Sequence, residues 1–267
     1  MNNARILLVA VMWLVPSLAL AHGSDGHPAD PNLHVGTGYD ECFVQFAPNL
    51  TQDAFRRFAR EFGSVSAFRM TSPPTTLGAR GLSIAVEQLS FTLDDKSAAW
   101  NDTFAHPDSY HELGQTQAFP NVRVRVGLTD RLDVGALWTR NFSANYGWLG
   151  LEGKYGWLQQ SETMPISLAV RGAYTKTLYV QDMNMHALTA EVAAGRKFWN
   201  ILTSYVGVGS DLILVRERSD AVNLKSEAQF VPHLLGGLEL RYWHIALGVE
   251  GHVSDVNDFK LHVASVF

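Results

Sequence analysis

The sequence lacks several features that mark common classes of protein. It contains a single cysteine, Cys42, so it forms no intramolecular disulfide. Its formal net charge is −5, and no basic cluster points to a nucleic-acid partner. Beyond the apolar stretch at 6–20, every apolar run is interrupted within a few residues by glycine or a charged residue. No later segment therefore predicts a transmembrane helix, which needs about 20 apolar residues.

The amino-terminal stretch predicts a secretory signal peptide. Arg5 precedes the apolar run at 6–20, and Ala19-Leu20-Ala21 has the small-residue spacing of a cleavage site. We therefore assign residues 1–21 to a signal peptide that directs secretion through the inner membrane, and we exclude them from the fold.

Residues 22–80 predict an amino-terminal extension with one helix. Helical spacing runs over about 51–62, where four apolar residues share one face: Phe55, Phe58, Ala59 and Phe62. Thr51 is the expected cap of this helix, and Gly63 is its expected end. The apolar face needs a partner, so the helix is expected to be either a plug of the following domain or a cap on its periplasmic side.

From residue 81 the period of the apolar residues changes from about 3.6 to about 2, which predicts β-strands. The alternation is clearest where Val122, Val124 and Val126 alternate with Arg123 and Arg125. Ten strands are predicted, with eight or twelve as alternatives, at about 81–93, 119–128, 131–141, 146–157, 165–178, 184–196, 201–215, 230–240, 244–253 and 258–267.

The connections between the predicted strands alternate in length. Tight turns are expected at Thr129-Asp130 and near Gln160, Lys197 and Trp243, whereas the 94–118 segment is long. Short turns at one end and longer loops at the other are typical of bacterial membrane barrels, whose tilted strands cross the bilayer in about ten residues.

The last predicted strand alternates an apolar face with a mixed face and ends on Phe267. This ending resembles the signal that the outer-membrane assembly machinery reads. The domain at 81–267 resembles bacterial outer-membrane β-barrel proteins in architecture, without pointing to one family. The resemblance implies an all-β, antiparallel, transmembrane up-and-down β-barrel in the cell outer membrane of a Gram-negative bacterium. It implies two partners, outer-membrane lipids and, through the strand ending at Phe267, the assembly machinery.

Aromatic residues cluster where the predicted strands end, as expected at membrane interfaces. The expected interface aromatics are Trp138, Trp148, Trp157, Trp199, Tyr242, Trp243 and Phe267. The alternative fold is a soluble periplasmic barrel that turns its apolar face inward around a ligand.

The second face of the strands mixes charges of both signs with glycine, which suits a narrow interior. The expected lumen-lining residues are Arg123, Arg125, Asp133, Glu152, Lys154, Arg171, Glu191, Asp211, Glu239, Glu250 and His252. If these charges pair, a salt-bridged network closes the lumen; if they line water, they select ions. Eight to ten strands leave little open space, which favours the closed alternative.

The sequence predicts a non-enzymatic, porin-like protein that is structural or a narrow passage for small solutes. The alternative is an outer-membrane hydrolase, because aspartates and histidines of the 94–118 segment are suited to activating water. The candidate catalytic residues are Asp102, His106, Asp108 and His111. Their spacing matches no motif of defined mechanism, and no cofactor or metal is predicted.

Overall fold

The computed structural model describes residues 33–34, 39, 41–105 and 113–267. The predicted signal peptide lies outside the described residues. The elements, in chain order, are β1 Phe43–Val44, α1 Gln52–Ser66, β2 Leu82–Thr92, α2 Ala98–Asn101, β3 Phe104–Ala105, β4 Thr116–Gly127, β5 Leu132–Arg140, β6 Gly147–Leu158, β7 Ser167–Leu178, β8 Met183–Phe198, β9 Leu202–Glu217, β10 Glu227–Tyr242, β11 Ile245–Val253 and β12 Asp258–Val266. Within the described part of the chain, no helix has the length and apolar character needed to span a membrane.

Ten antiparallel strands form a closed barrel, and the predicted architecture is confirmed. Each strand from β4 onward pairs with the next along the chain, and β2 pairs with both β4 and β12 to close the wall. Paired residues followed once around the barrel from Leu214 on β9 return to β9 at Leu202, twelve residues away. With ten strands, this stagger tilts each strand by about 40° from the barrel axis.

The two ends of the barrel differ. Connections 141–146, 179–182, 218–226 and 254–257 meet at what we call the long-loop end, together with 93–105 and 113–115, the described parts of the β2–β4 connection. Connections 128–131, 159–166, 199–201 and 243–244 meet at the short-turn end. The start of β2 and the end of β12 also lie at the short-turn end. The tight turn predicted near Gln160 is wrong, because Pro165 has no N–H to donate to the ladder and β7 begins only at Ser167.

Side chains alternate between the two faces of the barrel wall. The outer face exposes large apolar side chains, among them Val122, Val124, Leu149, Leu188 and Leu212. The inner face carries buried polar and charged side chains together with the apolar residues that pack against α1. The soluble alternative required the apolar face to surround a ligand, and it is therefore wrong.

Helix α1 lies at the long-loop end. The Thr51 hydroxyl accepts a hydrogen bond from the Ala54 N–H at 3.3 Å, as expected of an N-cap. The apolar face of the helix is buried, and the Phe62 ring lies 6.5 Å from the Trp148 ring on the inner wall of β6. The apolar face of the helix therefore packs against inward-facing side chains near the long-loop end of the barrel.

The helix continues to Ser66, although Gly63 was predicted to end it. A Cβ atom added at Gly63 would lie 2.3 Å from the Ile213 side chain on β9. The glycine serves close packing against the barrel wall instead of a helix end, which is why the sequence signal was misleading.

The chain enters the barrel directly after α1. Residues 67–77, which we call the inserted segment, run through the lumen from the long-loop end to the short-turn end. Arg69 at its start contacts Asp211 on β9, and Leu77 at its end contacts Asp133 on β5. Gly78 then adopts a φ of +83°, which turns the chain toward the first strand of the barrel.

Candidate functional site

The inner wall is shaped to hold the inserted segment. A Cβ atom added at Gly150 would lie 2.7 Å from the Phe68 ring, and one added at Gly195 would lie 2.9 Å from Pro74. Both glycines face the lumen, so the wall leaves room for the side chains of the segment. The space inside the barrel is therefore filled by the chain itself along these residues.

Arg69 is the most fully paired side chain of the inserted segment. Its guanidinium lies 2.8 Å from a carboxylate oxygen of Asp211 and 3.1 Å from one of Asp258, and its side chain is 0% exposed. It also donates to the hydroxyl oxygens of Ser64 at 2.6 Å and Ser254 at 3.1 Å. One cation thus links α1, the inserted segment, β9, β12 and the loop between β11 and β12.

A second group of buried charges holds the backbone of the segment. Arg171 on β7 donates to both Glu152 on β6 and Glu191 on β8. The Met70 N–H donates to Glu191 at 3.0 Å, and His233 on β10 lies 3.1 Å from the same carboxylate. The carboxylate of Glu191 therefore serves the wall and the inserted segment together.

The β2–β4 side of the wall makes similar contacts. Arg123 donates to Glu87, whose carboxylate also accepts from the Thr71 hydroxyl at 2.8 Å. Arg125 donates to the Ser72 hydroxyl. Because these hydrogen bonds are buried and involve charged groups, each is expected to stabilise the segment more than a neutral hydrogen bond would.

Near the short-turn end, Lys154 and Asp133 bind the inserted segment. The Lys154 ammonium donates to the carbonyl oxygens of Pro73 at 3.0 Å and Thr75 at 2.7 Å. The Leu77 N–H donates to the Asp133 carboxylate at 3.0 Å. The same carboxylate lies 3.5 Å from the Lys154 ammonium. Neither carbonyl belongs to a strand ladder, and the lysine satisfies both.

Two histidines complete the charged lining. His252 lies 2.7 Å from Asp258 and 3.2 Å from Glu250. His262 lies 3.3 Å from Glu239. These contacts are those of a paired structural network.

All the residues expected to line the lumen lie at inward positions, and all but the partly exposed Glu239 are buried. The sequence analysis missed six other ionisable residues of the interior: Arg69, Glu87, His233, Asp258, Lys260 and His262. Strand parity was available to find the last five, because each lies on the inner face of its strand. Arg69 belongs to no periodic segment, so no sequence pattern indicated it.

The expected interface aromatics divide into two sets. Trp148 is a correction: it faces the interior and is only 2% exposed, because it shares its strand face with Gly150 and not with Leu149. The others lie on the outer surface at strand ends or turns and are exposed: Trp138, Trp157, Trp199, Tyr242, Trp243 and Phe267.

The candidate catalytic residues are only partly described. Asp102 follows α2, and its backbone carbonyl accepts a hydrogen bond from the Ala47 N–H at 2.9 Å. His106, Asp108 and His111 lie outside the described residues, so the hydrolase hypothesis stays a prediction. Among the residues that are described, no group of three His, Cys, Asp or Glu side chains is placed to hold a metal ion.

The exposed arginines of α1 bind carboxylates around the long-loop end. Arg56 lies 3.3 Å from Glu227 on β10. Arg60 pairs with Asp255 in the β11–β12 loop, and this hydrogen bond raises the pKa of Arg60. The helix is therefore attached to the loops by charge at its surface and by aromatic packing beneath.

The solved structures that resemble this barrel are bacterial outer-membrane β-barrel proteins. An outer-membrane channel from Pseudomonas putida F1 is 9% identical with a TM-score of 0.44, over 74% of this chain and 100% of that chain. The translocator domain of autotransporter NalP from Neisseria meningitidis is 13% identical with a TM-score of 0.41, over 71% and 88%. Ail, the attachment invasion locus protein of Yersinia pestis, is 10% identical with a TM-score of 0.33, over 71% and 99%. No family model and no curated protein matches the sequence.

Proposed function

We propose that this protein is an outer-membrane β-barrel whose lumen is closed by its own amino-terminal extension. The observation that carries the proposal is the inserted segment, whose backbone and side chains bond to buried groups on strands all around the wall. The barrel is non-enzymatic in this proposal. A solute can pass through the lumen only if the inserted segment moves out of it.

The outer face of β8 supports the membrane location. His186 and Arg196 lie on this face, and the outward residues between them are Leu188, Ala190, Val192 and Ala194. Ten residues at about 3.4 Å each, tilted by about 40°, span about 25 Å along the barrel axis. This distance equals the height of the apolar band on outer-membrane barrels.

The lengths of the connections support an orientation. Outer-membrane barrels place short turns in the periplasm and longer loops outside the cell. With the short-turn end in the periplasm, α1 lies on the cell exterior, and the periplasmic-cap alternative does not apply. The extension then reaches β2 by passing inward through the barrel as a plug.

The end of the last strand supports the proposed recognition by the assembly machinery. The Phe267 N–H donates to the Leu82 carbonyl at 2.8 Å, and the Leu82 N–H donates back at 3.0 Å. These bonds lie at the seam where β12 meets β2. Before the barrel closes, the edge of β12 that pairs with β2 has free backbone groups, which are available to a partner protein.

Planar-bilayer conductance tests the closed barrel. The refolded protein is expected to give no steady conductance, and a variant lacking residues 33–80 is expected to conduct. Heat-modifiable gel mobility shows that each sample is folded. Steady conductance of the full chain would contradict the proposal.

If the deletion variant does not fold, a crosslink replaces it. Met70 and Ala193 pack together inside the barrel, so the variant M70C/A193C in a Cys42→Ser background is expected to form a disulfide in membranes. Failure to form this disulfide in the folded barrel would show that the segment does not reside in the lumen.

Labelling of intact cells tests the orientation. Phe142 at the long-loop end is 79% exposed, and Trp199 at the short-turn end is 80% exposed. In a Cys42→Ser background, Phe142→Cys is expected to react with a membrane-impermeant maleimide on intact cells, and Trp199→Cys only after permeabilisation. The reverse pattern would overturn the orientation.

A further inference from the structure

The outer wall carries a basic surface at its long-loop end. Four basic side chains point outward on the β5–β9 side of the wall: Arg140 on β5, Lys176 on β7, His186 on β8 and Arg216 on β9. We call these four residues the basic rim. Below them the same strands expose apolar residues, so the charges mark the edge of the apolar band.

Three side chains of the basic rim, those of β7, β8 and β9, are close enough to act together. Lys176 and His186 are directly opposite each other across the β7–β8 ladder. Arg216 pairs with Asn184, which places it one diagonal step from His186 on the next strand. Directly opposed residues are about 5 Å apart and diagonal ones about 7–8 Å, which long side chains bridge.

Aromatic rings hold two members of the rim in place. The Tyr174 hydroxyl lies 2.6 Å from Nδ1 of His186, and the two rings stack at 5.8 Å. The guanidinium of Arg140 lies 3.7 Å above the Tyr179 ring. Tyr179 carries no carboxylate, so its contact leaves the charge of the Arg140 guanidinium in place.

The rim has no carboxylate partner within the described part of the chain. No ion pair joins Arg140, Lys176 or Arg216 to an acidic group there. The arginines of α1 differ, because Arg56 and Arg60 each bind a carboxylate. An unpaired basic surface at the level of lipid headgroups is complementary to an anion held at that same level.

We propose that the basic rim binds the phosphate of an outer-leaflet lipid headgroup. The guanidinium of Arg216 and the ammonium of Lys176 donate to the phosphate oxygens, and the acyl chains lie along Leu188 and Leu212 below. Solvated side chains that merely extend toward water are the other explanation, and they would show no preference for phosphate. The site rests on the proposed membrane location and orientation.

The test uses the full chain refolded in detergent and titrated with lipid A that carries two phosphate groups. Bound lipid is counted by native mass spectrometry. Each Lys or Arg near a charged lipid surface contributes about a fivefold factor in affinity, so K176Q/R216Q is expected to weaken binding about 25-fold. Lipid A stripped of phosphate is expected to bind the wild type no better than it binds this variant.

Arg196→Gln is the matched control, because Arg196 is an exposed outward arginine at the opposite edge of the apolar band. It is expected to change the affinity less than twofold. Equal binding by wild type and K176Q/R216Q, equal loss in Arg196→Gln, or indifference to the phosphate groups would each overturn the site. A reversed labelling pattern in intact cells with phosphate-dependent binding intact would overturn the proposed orientation, and with it the outer leaflet as the source of the lipid, but not the phosphate site itself.

Discussion

Replacing Arg69 by methionine tests whether the buried charges hold the inserted segment. The substitution keeps most of the side-chain volume and removes the cation that lies between Asp211 and Asp258. Both carboxylates stay inside the barrel with one partner fewer. Asp211 keeps its hydrogen bond from Thr189 at 2.7 Å, and Asp258 keeps His252 at 2.7 Å.

These remaining partners determine how much unfolding free energy the substitution costs. Removing one member of a buried ion pair typically costs about 3–5 kcal/mol of unfolding free energy, because a buried charge is left uncompensated. Since neither aspartate is left without a hydrogen bond, we expect Arg69→Met to cost about 3 kcal/mol, the lower part of that range. The double variant R69M/D211N removes one of the two buried carboxylate charges, which offsets the lost cation, and is expected to recover about 1 kcal/mol.

The measurement is urea unfolding in phospholipid vesicles, followed by tryptophan fluorescence and by heat-modifiable gel mobility. Arg56→Met is the control, because Arg56 is half exposed in its pair with Glu227 and is expected to cost at most about 1 kcal/mol. A loss below about 1 kcal/mol for Arg69→Met, or a double variant no more stable than the single one, would refute the assigned role of the network.

Two further substitution pairs test the packing inside the wall. Gly150→Ala is expected to cost about 1–3 kcal/mol of unfolding free energy in the same urea assay, because its Cβ would lie 2.7 Å from the Phe68 ring. Gly153→Ala is the control and is expected to be neutral, because a Cβ there meets nothing within 4 Å. Equal effects of the two substitutions would contradict this packing. Trp148→Ala is expected to cost about 3–5 kcal/mol, because its 2%-exposed ring fills the interior under α1. Trp157→Ala removes a 61%-exposed ring from the outer surface and is expected to cost less; of these two rings, only that of Trp157 is expected to be quenched by brominated acyl chains.

The barrel wall could be predicted because successive side chains of a strand point to opposite faces, so the two environments alternate along the sequence with a period of two. The pattern around Val122 and Arg123 indicated both the strand and the side from which lipid is excluded, without knowledge of any neighbour. The same rule would have placed Trp148 inside, since Leu149 and Leu151 are outward. The error there came from reading proximity to a strand end as a membrane interface.

The contents of the barrel could not be predicted in this way. Arg69 and its neighbours at 67–77 form no regular element, so no period marks them, and their partners lie as far away as Asp258. Which charges meet across the lumen depends on the twelve-residue stagger of the closed sheet, a property of all ten strands together.

The sequence by itself determined the antiparallel order of the strands and the polarity of each face, because these follow from local alternation and turn residues; it left the number of strands between eight and twelve, and the closed barrel has ten. Only the tertiary structure decided that the helix lies at the long-loop end, that Gly63 packs against Ile213 and that the amino-terminal chain fills the lumen. The reason is that the filling of the interior depends on complementary shape and charge between segments that are distant in the sequence, and such complementarity produces no periodic pattern in either segment.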